Sequence, residues 1–166
     1  MASNKDLRPL SREQRLQWMQ IAAMITLVPQ ALDTQLKRDA EINSFEYGVL
    51  AAIEDAPNRQ IQMSALAQWS HGSISRLSHA VSRLAKQGLV ERLASPDGGR
   101  RTDVKLTKAG QNILNEVTPA HSNEVRRLIA DSLSADELQN LASAARKIVE
   151  NIDPQLMASL QVRLDL

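Results

Sequence analysis

The chain has 166 residues, 43% of them hydrophobic and 23% charged, which supports one folded core and excludes a disordered or fibrous chain. Its formal net charge is +1 and it has no cysteine, so disulfides, thiolate zinc sites and thiol redox switches are excluded, and a reducing cytoplasm is the expected compartment. Aromatic residues make up only 2% (Trp18, Phe45, Tyr47 and Trp69), so the core must come from Leu, Ile, Val, Ala and Met, which favours packed helices. The first ten residues hold no apolar signal core. The longest apolar run, Ile21 to Val28, is interrupted by Thr26 and is too short to span a bilayer.

Ser11-Arg12-Glu13-Gln14 reads as a capping box. The apolar stripe behind it, Leu16, Met19, Ala23, Leu27 and Ala31 on to Leu36, predicts one helix from about Arg12 to Asp39, bent at Pro29. Apolar residues occupy more than one of its faces, so it needs more than one neighbour, a core and a partner subunit. Asn43-Ser44-Phe45-Glu46 starts a second helix, which Asp55-Ala56-Pro57-Asn58 ends. Gln60 to Gln62 is a candidate short strand, and Met63 to Ser70 a short helix buried through Leu66 and Ala67, with Trp69 as a plug at its end.

After the His71-Gly72 turn, Ser73 is placed to cap a helix from Ile74 to Gln87, which Gly88 closes. Leu77, Val81 and Leu84 form its apolar stripe; its other face is Ser75, Arg76, Ser78, His79, Ser82, Arg83 and Lys86. Leu89 to Ala94 and Asp103 to Leu106 alternate as strands around the turn Ser95-Pro96-Asp97-Gly98-Gly99, giving a β-hairpin. Thr107 caps a helix to about Asp131 that contains Pro119. Ser134-Ala135-Asp136-Glu137 opens another to about Ile152, and Asp153-Pro154 a short last one over Gln155 to Leu160.

Charge is unevenly placed. Between Ser73 and Lys108 stand eight Lys and Arg against three acidic residues, so the rest of the chain is net acidic. One basic segment on an acidic chain fits a polyanion-binding surface, and equally a solvated basic face. The order of elements chooses between them. A short helix, a tight turn, a capped polar-faced helix and a two-stranded hairpin are the parts of a winged helix-turn-helix. A helix entering a major groove about 12 Å wide needs small, hydrogen-bonding side chains on its outer face. Ser75 and Ser78 are small, Arg76, His79 and Arg83 can donate to bases or phosphates, and the free amides behind Ser73 favour a phosphate. Arg100 and Arg101 beside Gly98-Gly99 make a basic tip suited to a narrow minor groove.

The stretch Ser64-Ala65-Leu66-Ala67, then Ser73 to Leu84, then Gly88-Leu89-Val90-Glu91-Arg92, resembles the DNA-binding lobe of the MarR family. So does Ser95-Pro96-Asp97-Gly98-Gly99-Arg100-Arg101-Thr102-Asp103-Val104-Lys105-Leu106-Thr107-Lys108-Ala109-Gly110, the more specific part. The resemblance implies a mainly α winged helix-turn-helix protein with long terminal dimerisation helices. The lobe covers residues 43–110 and the dimerisation region residues 11–42 and 111–166. It implies a cytoplasmic homodimeric regulator, usually a repressor, acting on double-stranded DNA and in many relatives released by a small-molecule effector. By position it assigns Ser73, Ser75, Arg76, Ser78 and His79 to the major groove, Arg83 to a phosphate, Arg100 and Arg101 to the wing tip, and Asp97 to bracing the wing. Relatives commonly carry arginine where His79 stands, so base preference here is expected to differ.

Other functions fare worse. His71, His79 and His121 lack metal-ligand spacing, so no metal or cofactor is expected, and His121 reads as a plain surface residue. The serines form no nucleophile–base arrangement, so an enzyme is not expected. Trp18, Met19 and Met24 fit dimer packing better than an effector pocket. A winged-helix protein-interaction module would show aromatic anchors on its basic face, which has none. Non-specific architectural DNA binding stays open.

Overall fold

Three reciprocal caps fix where the long helices begin. The side chains of Ser11, Asn43 and Ser134 each accept the backbone N–H three residues on, and the side chains of Gln14, Glu46 and Glu137 accept the N–H of the cap in return. Each exchange satisfies two amides that a helix start otherwise leaves unpaired. The computed structural model describes residues 8–70, 74–94 and 102–154. Its helices are α1 (Arg12–Ala40), α2 (Ser44–Asp55), α3 (Met63–Ser70), α4 (Ile74–Lys86), α5 (Lys108–Leu128) and α6 (Ala135–Ile152). Its strands are β1 (Gln60–Gln62), β2 (Val90–Ala94) and β3 (Thr102–Leu106).

Both internal prolines are carried inside unbroken helices, Pro29 in α1 and Pro119 in α5. Each removes the amide that would bond the carbonyl four residues back, and each lies on an exposed face where water can serve that carbonyl. The helix predicted to reach Asp131 stops at Leu128, and a 3-10 turn, Ala130–Ser132, follows. The expected helix over Gln155 to Leu160 and the Trp69 side chain lie outside the described residues.

The core sits between α2, α3, α4, the sheet and the first half of α5. Ile42, Val49, Leu50, Ile53, Leu66, Leu77, Val81, Leu84, Val104, Leu114 and Val117 are buried there, and Leu36 ties α1 to them. Each such side chain contributes about 1.5–3 kcal/mol by leaving water. Burial is sparse in the outer helices: α1 has only Gln35 and Leu36 buried, and α6 has no buried residue.

The sheet is three-stranded and antiparallel in the order β1-β3-β2. The expected hairpin is β2 with β3, Val90 facing Leu106 and Ala94 facing Thr102. The candidate strand at Gln60 to Gln62 joins it, Ile61 opposite Val104, which makes β3 the central strand.

The base of the hairpin is built from backbone groups. Gly88 at φ 72 ends α4, with its N–H on the Ala85 carbonyl and the Leu89 N–H on the Leu84 carbonyl. Thr107 then joins three elements: its N–H reaches the Leu89 carbonyl at 3.1 Å, its hydroxyl donates to the Gly88 carbonyl at 2.7 Å, and the same oxygen accepts the Gly110 N–H. The end of α4, the start of β2 and the start of α5 are therefore tied together at one residue.

His121 corrects the sequence reading. It is half-buried, not a plain surface residue. Its ring lies 4.5 Å from that of Tyr47, and Nδ1 is 3.2 Å from Oε1 of Gln35 on α1. The Tyr47 hydroxyl meets Thr118 on α5 at 3.2 Å, so one small cluster joins α1, α2 and α5. Leu114, Val117 and His121 share one helical face, so the histidine extends a buried stripe rather than standing apart from it.

Candidate nucleic-acid interface

The sequence of α4 sorts its side chains into strips around the axis. Leu77, Ala80, Val81 and Leu84 face the core and are buried. Opposite them Ser75, His79 and Lys86 are exposed and close to one line along the helix. Ile74 is also exposed, at the N-terminal end of the helix. Between the buried and outward faces run two flanking strips, and each is held by another element.

On one flank Arg76 and Arg83, seven residues apart, meet the first turn of α2. Arg83 straddles Glu46: Nε lies 2.8 Å from Oε1 and Nη2 lies 2.9 Å from Oε2, with a longer bond to the Glu41 carbonyl at 3.3 Å. Glu46 is 2% exposed and also accepts the Asn43 N–H, so its charge is compensated by a two-toothed ion pair and a helix-start amide. The guanidinium carbon of Arg76 sits 4.2 Å from the centre of the Phe45 ring, over its face. A groove of about 210 Å³ runs between the two helices here, with Arg76, His79 and Arg83 along one side.

On the other flank Ser78 and Ser82 are half-buried and face the hairpin. Nη2 of Arg92 on β2 donates to the Ser78 carbonyl at 3.0 Å and to the Ser82 hydroxyl at 2.9 Å. The Ser82 hydroxyl donates in turn to the Ser78 carbonyl at 2.7 Å. The β2 strand of the hairpin is thus pinned to α4 by side chains as well as by the backbone at Thr107.

The predicted site residues therefore fall into groups. Ser75 and His79 lie on the open face of α4, Arg76 and Arg83 on the strip beside α2, and Ser78 on the strip beside β2. Ser73, Asp97, Arg100 and Arg101 lie outside the described residues. Sequence reasoning passed over Phe45, Glu46 and Arg92, the three residues that hold the flanks. Arg92 belongs to the basic segment and was visible as charge; nothing local marks Phe45 or Glu46 beyond their place in the first turn of α2.

Electrostatics at the α1–α2 junction bear on Arg76. Burial pushes the Asp33 carboxyl up, but hydrogen bonds from Ser44 and the charges of Lys37 and Arg76 outweigh it and hold the group below its ordinary value. Its Oδ1 accepts the Ser44 N–H at 2.7 Å. Among the described residues no cluster of His, Asp and Glu could hold a metal ion. No helix among them is long and apolar enough to cross a membrane.

No family model matches the chain. The chain is 29% identical over 110 residues to the HTH-type transcriptional regulator MhqR of Bacillus subtilis, over 64% of this chain and 72% of that protein. Among solved structures, AbsC, a MarR family transcriptional regulator from Streptomyces coelicolor, shares 27% identity over 88% of this chain and 98% of its own, at a TM-score of 0.82. Sco3205, a MarR family transcriptional regulator from the same organism solved in complex with DNA, is 34% identical over 91% of this chain and 94% of its own, at a TM-score of 0.86. With the winged helix-turn-helix already described, that identity over nearly the full length of both chains places this protein in the MarR family of transcriptional regulators.

Proposed function

We propose that the protein is a homodimeric, sequence-specific DNA-binding repressor of the cytoplasm. Each subunit sets α4 into a major groove and the hairpin into a flanking minor groove. The observation that carries this is the exposed, hydrogen-bonding face of α4, Ser75 and His79 with Lys86, braced on one side by α2 and on the other by β2. A surface meant for bases must be pre-positioned, because misplaced donors lose the geometry that tells one base pair from another. The likeness to Sco3205, solved with DNA, supports the same reading.

In this reading residues 43–110 form the DNA-binding lobe, and residues 11–42 and 111–166 the dimerisation region. Leu16, Trp18, Met19, Ile25 and Leu27 on α1, with Ile148 and Ile152 on α6, are large apolar side chains exposed on the subunit. Large exposed apolar side chains of that kind favour burial against a second copy. Ser73 and Ser78 complete the major-groove set, Arg83 stands at a phosphate, Arg100 and Arg101 supply the wing tip, and Asp97 braces it. Two-fold symmetry then calls for a pseudo-palindromic site with half-sites about 10 bp apart.

Selection of bound fragments from genomic DNA by the purified protein at physiological salt tests this. Recovery of an inverted repeat supports the dimeric regulator. Recovery without sequence preference replaces it with an architectural DNA binder, and no recovery with a protein-interaction module. Adding small phenolic compounds to the recovered complex tests the effector release that family membership implies.

A further inference from the structure

We propose that Phe45 is a positioning residue for DNA recognition. Its ring holds the Arg76 guanidinium against the first turn of α2, where Arg76 meets a backbone phosphate, leaving the bases to Ser75 and His79. The inference rests on the DNA-binding reading and assigns Arg76 a different task from the base contact expected from its position in the sequence.

The geometry separates Arg76 from the outward strip. Arg76 and Arg83 lie seven residues apart on the flank that faces α2, Ser75 lies on the open face, and His79 is exposed between them at the edge of the same groove. Arg83 is fixed there by Glu46, and Arg76 by the ring of the residue just before it, Phe45. Consecutive residues in one turn of α2 thus hold the two arginines of one strip of α4. The local field gives a reason for the ring. The N-terminus of α2 carries partial positive charge, and the Glu46 carboxylate close by is already paired with Arg83, so a second cation is not strongly drawn here by its helix neighbours. The negative face of an aromatic ring, together with the nearby Asp33 carboxylate, offsets that.

Stacking also decides what Arg76 can offer. The ring covers one face of the guanidinium, and a guanidinium donates in its own plane, so stacking on its face does not itself block donation. A long side chain held in this way loses less conformational freedom when it binds an anion, which is the gain from pre-positioning. At the rim of α4 beside a helix N-terminus, the anion that DNA presents is a phosphate. Phe45 also packs against the core, so leucine keeps the apolar filling while removing the ring's charge distribution.

The test uses the full-length protein, the duplex recovered by selection and an unrelated duplex of equal length. In the DNA-free protein the Arg76 Nε–H proton should be shifted upfield by the ring current, lose that shift in Phe45→Leu and keep it in Phe45→Tyr. Phe45→Leu should weaken binding to both duplexes by the same factor, about two- to fivefold. Arg76→Gln should weaken both duplexes alike and lower the slope of log affinity against log salt by about 0.9. Adding Phe45→Leu to Arg76→Gln should cost nothing more, and Phe45→Tyr should restore binding. Full additivity of the two losses, no ring-current shift, or a change of base preference in Arg76→Gln overturns the inference while the DNA-binding reading stands. No binding of any duplex by the wild type removes both.

Discussion

Gly110 in the first turn of α5 backs directly onto the carbonyl of Leu89: a Cβ at Gly110 would lie 2.1 Å from that oxygen and 2.7 Å from Cδ1 of Leu106. The obstacle is backbone, and that backbone is already fixed by the Thr107 N–H on the same carbonyl. Gly110→Ala must therefore push α5 away from the base of the hairpin. A loss at or above the upper end of the usual overpacking range, about 3 kcal/mol, is expected. Chemical denaturation checks it; a loss under about 0.5 kcal/mol would show that α5 can shift freely there. By contrast, nothing lies within 4 Å of a Cβ built at Gly88, whose requirement is its φ of +72 alone. Gly88→Ala should cost about 1 kcal/mol, and Gly88→Asn less.

Arg83 should prove to be a stability residue as well as a surface cation. Its removal leaves Glu46, 2% exposed, with only the Asn43 N–H for its charge. Because Arg83 itself is 54% exposed, the pair is partly screened. Arg83→Ala should destabilise by about 1.5–3 kcal/mol, the value of a charged hydrogen bond. Glu46→Ala should cost more, since it also opens the cap. Thermal melts of the two variants and of the double variant check this. An Arg83→Ala protein as stable as the wild type would leave Arg83 with a role on DNA only.

These two contacts mark how far the sequence could be read. The start of α2 was legible because Asn43 and Glu46 stand three apart, and a capping box is a local device. The second task of Glu46, held by an arginine 37 residues away, has no local signature. The same is true of Phe45 beneath Arg76, and of Arg92 against Ser78 and Ser82. Periodicity tells which face of a helix is buried, not which residue of another element it meets. Gly88 and Thr107 were legible for the reason that Asn43 was: a helix end and a helix start each need a particular backbone conformation or acceptor. His121 was misread because a histidine was weighed as a ligand or a surface group, while its register with Leu114 and Val117 already placed it on the buried stripe of α5.

His121 makes the stability of the α1–α2–α5 junction depend on pH. Burial lowers its pKa from the ordinary 6.5, so the folded protein holds the ring neutral where the unfolded chain would begin to protonate it. The unfolded state then binds more protons, and stability falls as pH drops from about 6.5 toward the lowered folded value, levelling below it. Neighbouring carboxylates act lower. Arg38 and Gln35 hold Asp39, and Arg127 holds Glu124, below the ordinary carboxylate value, so their contribution is present at neutral pH and lost only in stronger acid. His121→Gln should therefore flatten the stability profile between neutral and mildly acidic pH and leave the acid limb unchanged. Parallel urea titrations across that range check it; an unchanged wild-type slope in the variant would assign the dependence elsewhere.

The apolar residues of α1 make the sharpest demand on the proposed dimer. Met19 is 66% exposed and Leu27 62% exposed on the subunit, so glutamate at either position should alter the subunit's own fold by no more than about 0.5 kcal/mol. In a two-fold dimer that buries this face, each substitution appears twice and places an unpaired carboxylate in apolar surroundings. Met19→Glu with Leu27→Glu should then shift the protein to monomer at micromolar concentration, as read by sedimentation equilibrium, while circular dichroism retains the helical signal. DNA binding should fail in a characteristic way. A single half-site should bind as weakly as before, and the gain from placing two half-sites on one duplex should disappear, because that gain is the effective concentration supplied by the partner subunit. A variant that stays dimeric and keeps that gain would move the interface off this face of α1, leaving α6, with Ile148 and Ile152 exposed, as the surface to be tested.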